Sequence, residues 1–309
     1  MSSSVGHSEP TVNGLERYEP VRVPSVSPRP RVLAGLGVLP RFSLAGDAFG
    51  IDAINHAAPG KNQDRYLTTP GFAAVGDGAT SLSGLPNTDI GRFCERALQE
   101  LERRKHLPAA AMFSEAIAAT NREQFEGRPC CTIALVRDHQ GLEVNVLADS
   151  RAVIETTDGV FSLTDDRIAP WDNASDAAIL LAMNNGASFA EARQSIREHI
   201  RRQQEGSNKP GSYWTFAGEE AAGNEVLSHT FNPASVRRVL LMTDGFDRLW
   251  SKFGVAANPG ALLAMASLVG VTSLTMRLRA LERADPQGVS HPRTSIHDDC
   301  TAVLLERVA

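Results

Sequence analysis

Hydrophobic and polar positions along the chain fall into alternating blocks. The segments GDAFGIDAIN (46–55) and YLTTPGFAAVGD (66–77) are short, apolar-rich and bounded by turn residues. Both predict strands, the second folded back on itself at Pro70-Gly71. From Thr88 to Lys105 the residues Ile90, Phe93, Cys94, Ala97, Leu98 and Leu101 recur at helical spacing. Pro108 ends that helix, and a second amphipathic helix runs to about Glu123. Residues 130–164 are β-rich again, with turn signals at Asp138 to Gly141 and at Asp158-Gly159, and predict three strands in a meander.

Helical patterning returns over 174–205, interrupted near Asn184-Asn185-Gly186, and is followed by a loop at 208–214 carrying Tyr213 and Trp214. A strand at Val236–Met242, a short helix at Phe246–Phe253, a mostly helical stretch from Pro259 to Arg283 and a closing strand at Cys300–Val308 complete the chain. The strands are mostly consecutive and the helices come in pairs between them. That argues against strict βαβ alternation and for an α+β fold of antiparallel sheets covered by helices.

Composition sets the boundaries. The chain has 309 residues, and between Glu19 and Pro40 it holds five prolines and no aromatic residue. Such a stretch cannot bury enough surface to offset its conformational entropy, so residues 1–41 are expected to form a flexible tail and residues 42–309 the folded domain. No compact apolar segment with a small-residue cleavage site opens the chain, so no secretory signal is expected. Net charge is −5 with both signs interspersed, and no basic cluster interleaves with aromatics; nucleic acid is not an expected partner. The longest apolar stretch, 261–276, contains Ser267, Gly270, Thr272 and Ser273 and is too short to span a bilayer, so it is expected to be a core helix and no membrane is expected. Of the four cysteines, Cys130 and Cys131 are adjacent and Cys94 and Cys300 stand alone. Without a CxxC pair structural zinc is not indicated, and reduced thiols suit a cytoplasmic location.

The candidate chemistry lies in aspartates at strand ends. A carboxylate at the tip of a buried strand is costly unless something pairs with it. If the 66–77 hairpin turns at Pro70-Gly71, paired residues sum to 141 and Asp64 lies opposite Asp77, where like charges repel. Asp77, Asp149 and Asp244 each follow an apolar strand, whereas Asp298 and Asp299 precede one. In antiparallel sheets strand ends neighbour strand starts, so all of these acids can gather at one edge. Carboxylates without His or Cys are hard oxygen ligands that suit Mg²⁺ or Mn²⁺. Two such ions about 3.5–4 Å apart can generate a hydroxide and clamp a phosphoryl group. Gly78 and Gly245, lacking a Cβ, would let the backbone turn and approach an ion. Plainer roles stand beside this. Asp244 could cap the following helix, Asp149 could pair with Arg151, and Asp158-Gly159 reads as a turn only.

The motifs NQDR (62–65), VGDGAT (75–80), LADSRAV (147–153), LLMTDGFDRL (240–249) and DDCTAVLL (298–305) occur in an order that resembles the metal-dependent protein phosphatase 2C, or PPM-type, family, in a bacterial branch. The resemblance implies a four-layer α-β-β-α sandwich and hydrolysis of phosphoserine or phosphothreonine in a phosphoprotein by a metal-activated water. By this resemblance Asp77 bridges two ions and the Gly78 carbonyl holds one of them. Asp244 and Asp298 complete the other site, Asp64 sits close behind, and Asp149 serves a weaker third site. Arg151 is expected to be structural.

The chain also departs from the family pattern. Pro59 stands where many members have a phosphate-binding arginine, with Lys61 and Arg65 as possible substitutes, although a lysine offers a point charge and no fork. Gln63 replaces a common glutamate, Ala79 a common histidine proton donor, and Ala148 a usual glycine. These departures leave open a phosphatase-fold binding module with weak or no turnover. An aspartyl-nucleophile phosphohydrolase of the haloacid-dehalogenase kind needs an acid two residues after the first, and position 79 is alanine. His297, beside Asp298, is a further candidate ligand or base, and Tyr213 and Trp214 are expected to anchor their loop by packing. Oligomeric state is open.

Overall fold

The computed structural model describes residues 14–18, 42–60, 62–79, 87–125, 127 and 129–308. Strand β1 (Leu15–Tyr18) is followed by the hairpin of β2 (Phe42–Leu44) and β3 (Asp47–His56), then by that of β4 (Arg65–Thr69) and β5 (Phe72–Ala79). Helices α1 (Asn87–Arg103) and α2 (Ala109–Thr120) lead into β6 (Cys130–Asp138), β7 (Leu142–Leu147), β8 (Arg151–Thr156) and β9 (Val160–Leu163). A helical segment follows, α3 (Ala169–Asn184), α4 (Phe189–Ser195) and α5 (Arg197–Gly206). The chain then forms β10 (Leu227–Phe231), β11 (Val236–Met242), α6 (Asp244–Ser251), α7 (Pro259–Val269), α8 (Val271–Ala284) and β12 (Cys300–Arg307).

Two sheets stack face to face. One has seven strands in the order β1-β9-β8-β11-β12-β3-β2, the other five in the order β10-β7-β6-β5-β4, and every neighbouring pair is antiparallel. The central strands are buried on both faces, which is why their sequences read as unbroken apolar runs. In β5, Ala73 and Val75 point between the sheets while Phe72 and Ala74 point at α1. In β11, Val239 and Leu241 point between the sheets while Leu240 and Met242 meet Phe246, Leu262 and Leu274 of α6–α8. The order of layers is therefore α1–α2, five strands, seven strands, α6–α8, which is the expected four-layer α-β-β-α sandwich. Helices α3–α5 hold a small core of their own around Ile179, Phe189, Ala192 and Ile196.

Four features differ from the expectation. Residues 130–164 form four strands, and they divide between the sheets: β6 and β7 join the five-stranded sheet, β8 and β9 the seven-stranded one. The crossing is made at Ala148-Asp149-Ser150 without Gly or Pro, so the periodicity carries no break there; Ala148 takes φ 65° instead. Strand β10 (LSHTF) was hidden by its polar, exposed middle. The 259–283 stretch is two helices bent by 114° at Gly270, which has φ 88°. No single helix among the described residues is long and apolar enough to cross a membrane. Within the expected tail, Leu15–Tyr18 instead pairs with β9, because Leu15 packs on the core between the sheets and Tyr18 on the α6–α8 side. Residues 1–13 and 19–41 of that tail lie outside the described residues.

Candidate metal centre

The register of the β4–β5 hairpin is Arg65↔Gly76 through Thr69↔Phe72, so one residue further out Asp64 faces Asp77 as expected. β6 runs back from β5 and β7 back from β6, which brings Asp149, just past β7, to the edge where β5 ends. In the other sheet Met242 pairs with Ala302, so the end of β11 and the start of β12 meet at one place. That register sets Asp244 beside Asp298 and Asp299. The two edges are tied together. The Thr243 hydroxyl donates to Asp64 Oδ2 at 2.8 Å, and the Asp299 carboxylate accepts from the amides of Ala58 at 2.7 Å and Gln63 at 2.6 Å.

Two of the plainer roles for these acids do not hold, and the third does. Thr243, not Asp244, precedes α6 as its cap residue, and Asp244 is the first helical residue. Arg151 binds Asp247 at 3.1 Å and Ser162 at 2.9 Å, not Asp149. Asp158-Gly159 is the β8–β9 turn.

Asp64 is fully buried, while Asp77, Asp149 and Asp244 each keep an edge open to a cleft of ≈ 2060 Å³. Loss of water raises the pKa of all four, and their mutual charges raise it further. Burial, with the neighbouring Asp299 charge, pushes Asp64 up to about 8 against the opposing Thr243 hydrogen bond. Asp77 is raised by burial and then by Asp64, Asp244 and Asp298; its carboxyl lies within hydrogen-bonding reach of Asp244. Asp149 is raised by burial and then by Asp244 and Asp172. Asp244 is raised by burial and Asp298, with Arg248 opposing.

These residues suit a hard divalent cation. The donors are all oxygens. Asp64 Oδ1 and Asp149 Oδ1 are buried with no hydrogen-bond partner among the described residues. No three His, Cys, Asp or Glu side chains among the described residues converge on one point as they stand; Asp77 and Asp244 lean on each other instead. The glycines matter for close approach, not for a sharp turn, since neither has a positive φ. A Cβ on Gly78 would come within 2.6 Å of Ile90 Cγ2 and 2.8 Å of the Gln63 carbonyl, and one on Gly245 within 1.8 Å of the Asp299 carbonyl.

Asp298 is brought to the cluster but is differently engaged. Its Oδ2 accepts from Arg248 Nη2 at 2.5 Å and from the Ser295 hydroxyl at 3.0 Å, and its Oδ1 from the Asp299 amide at 3.1 Å. Arg248 is 5% exposed, and sequence reasoning missed it. The available signal was an arginine between Phe246 and Leu249, both wholly buried in α6. His297 binds Glu282 through Nδ1 at 2.8 Å, away from the four acids. Tyr213 donates to the Gln203 carbonyl at 3.0 Å and Trp214 packs in the α1–α2 core, so both anchor their loop. Arg65 is spent on the Asn62 carbonyl at 2.9 Å, the Asn62 side chain at 3.0 Å and the Asp64 carbonyl at 2.7 Å. Pro59 is exposed, and Lys61 lies outside the described residues. Ala79 lines the cleft, as do the cations Arg92, Arg201 and Lys209.

No protein-family model matches the chain, and no curated protein matches it in sequence. Solved structures of PPM-type phosphatases do match. The PPM Ser-Thr phosphatase MsPP from Mycobacterium smegmatis, in complex with cacodylate, is 19% identical, with 84% of this chain and 98% of that one covered at a TM-score of 0.46. PppA of Pseudomonas aeruginosa, a regulatory component of T6SS, is 13% identical, with 87% and 100% covered at a TM-score of 0.47. The catalytic domain of the serine threonine protein phosphatase PstP, in complex with 2 manganese ions, is 16% identical, with 84% and 99% covered at a TM-score of 0.46. These similarities concern the chain trace; the functional reading rests on the residues of the centre.

Proposed function

We propose that the chain is a Mg²⁺- or Mn²⁺-dependent phosphatase acting on phosphoserine or phosphothreonine in proteins. The observation that carries this reading is the group of aspartates 77, 149 and 244 lining the cleft with buried Asp64 behind them; two carboxylate oxygens of the group have no partner among the described residues. Asp77, Asp149 and Asp244 and the Gly78 carbonyl would hold the cation. When bound, the cation supplies Lewis acidity toward a phosphoryl oxygen and lowers the pKa of a water.

The chain's own residues do the rest. Asp64, fixed by the Thr243 hydroxyl, stands behind Asp77 with its Oδ1 without a partner among the described residues. Arg92 is the cleft cation with the loosest partners, at 3.5 Å from Asp89 and 3.4 Å from the Gln124 carbonyl, over the Phe125 ring. It is our candidate to orient the phosphate in the absence of an arginine at position 59. Arg201 is committed to Glu198 and Glu205. With alanine at position 79, no imidazole is supplied there, and the departing alkoxide takes its proton from solvent.

Pro59, Ala79 and the Arg248–Asp298 pair favour a second reading, a module that holds a phosphoprotein without turnover. Hydrolysis of p-nitrophenyl phosphate and of a phosphothreonine peptide with Mn²⁺ separates the two. Metal-dependent phosphate release that drops at least tenfold in Asp77→Asn is the expected result. Phosphopeptide binding without release would favour the module, and neither release nor binding would end both readings.

A further inference from the structure

The acids of the centre divide into two sets. Asp64, Asp77, Asp149 and Asp244 make no salt bridge among the described residues, whereas Asp298 is paired with a buried arginine. Arg248 stands four residues after Asp244 on α6, and its position is over-determined. Besides Asp298 Oδ2 at 2.5 Å, Nη2 reaches the Ser295 hydroxyl at 2.9 Å, and Nη1 reaches the Ser295 carbonyl at 3.2 Å. Glu282, wholly buried, stands 4.0 Å from Nη1 and is itself gripped by Arg279 at 2.6 Å and His297 at 2.8 Å. Arg279 also donates to the Asp298 main-chain carbonyl at 2.6 Å.

The Asp298 carboxylate is thus held from both ends, one oxygen by a guanidinium and a hydroxyl, the other by an amide. A guanidinium keeps its charge at any accessible pH. For Oδ2 to ligate a metal ion it would have to release Arg248, and an ion on Oδ1 would stand one carboxylate away from the same guanidinium, so either way a buried cation lies beside an incoming dication. Removing one partner of a buried ion pair is strongly unfavourable for that reason. The other set makes no salt bridge among the described residues, and two of its oxygens have no hydrogen-bond partner there.

We infer that Arg248 takes the place of a second metal ion: its guanidinium neutralises Asp298, and the centre accepts one divalent cation, on Asp77, Asp149 and Asp244. The inference rests on the cation reading proposed above and replaces the two-ion expectation drawn from the resemblance. It also accounts for a buried arginine in a centre otherwise made of acids.

The test is the Mn²⁺ stoichiometry of the full chain at fixed pH, by calorimetric titration and by metal content after dialysis. The wild type is expected to hold one ion per chain. Asp298→Asn is expected to leave that number unchanged, because the side chain is not a ligand. Arg248→Met frees Asp298 and is expected to admit a second ion, while Arg248→Lys retains the charge and stays at one. Two ions on the wild type, or loss of an ion in Asp298→Asn, overturns the inference while leaving the cation reading intact. No bound ion overturns both. Should Arg248→Met fail to fold, the wild type and Asp298→Asn still decide.

Discussion

Replacing Gly245 by alanine should damage the centre although no ligand atom is removed. An alanine Cβ would sit 1.8 Å from the Asp299 carbonyl oxygen, whereas an ordinary contact begins at 3.4 Å, so α6 and the start of β12 must part by about 1.5 Å. That join is stiff. The Thr243 amide donates to the Thr301 carbonyl at 3.0 Å, and the Thr301 amide to the Thr243 hydroxyl at 3.1 Å. The Asp299 carboxylate also holds the Ala58 and Gln63 amides at 2.7 and 2.6 Å. Losing one or two bonds to a charged group costs about 1.5–3 kcal/mol each, against a gain of about 1 kcal/mol for alanine over glycine in a helix. The net loss is about 0.5–5 kcal/mol, or roughly 1–20 °C in Tm for a domain of this size. Calorimetric melting of Gly245→Ala beside Gly50→Ala measures it. The Gly50 control meets only an ordinary contact at 3.9 Å and should stay near wild type. A Gly245→Ala protein with wild-type Tm and wild-type phosphate release would refute the close-approach argument.

Other outcomes follow from the same geometry. In chelator, Asp64, Asp77, Asp149 and Asp244 keep protons in the folded state that they lose on unfolding, because their folded pKa values are raised. Their contribution to stability is therefore fully present below about pH 4 and is lost as pH rises toward about 8, the value for Asp64, by about 1.4 kcal/mol per pH unit for each proton difference. Tm in EDTA should drop from pH 5.5 to 8 and Mn²⁺ should flatten the drop; a rise in EDTA would contradict the buried acids. Ala148→Gly should raise Tm by relieving φ 65°, worth about 0.5–1 kcal/mol after the entropy of glycine is set against it. Arg137→Met should lower stability by about 3 kcal/mol or more in denaturant titration, since it strands buried Glu143, now held at 2.9 and 3.0 Å. Arg92→Ala should raise KM for a phosphopeptide by roughly tenfold, about 1.4 kcal/mol, with Tm unchanged; an unchanged KM would remove Arg92 from phosphate binding.

Much of the centre was legible because two simple rules apply to it. The Pro70-Gly71 turn fixed a register, and the register put Asp64 opposite Asp77. Strand direction then gathered Asp149, Asp244 and Asp298 at one edge, since consecutive antiparallel strands alternate their ends. What stayed hidden lacked a local signal. The crossing between sheets at Ala148–Ser150 has neither Gly nor Pro, and its strain appears only in a dihedral angle. β1 and β10 are short edge strands held by neighbours distant in sequence, Leu163 for Leu15 and Val146 for Leu227. The glycines were expected to allow a sharp turn and close approach to an ion; neither has a positive φ, and the close approach the fold needs is to Ile90, Gln63 and Asp299. Arg248 was invisible because charge alone does not say whether an arginine faces water or a carboxylate.

The central claim is that these aspartates form a divalent-cation site, and direct titration tests it. Mn²⁺ should bind the wild type saturably in a calorimeter, and Asp77→Asn, which keeps the shape but removes a charge, should weaken that binding at least tenfold. Binding unaltered in Asp77→Asn, or no binding to a folded wild type, would contradict the account.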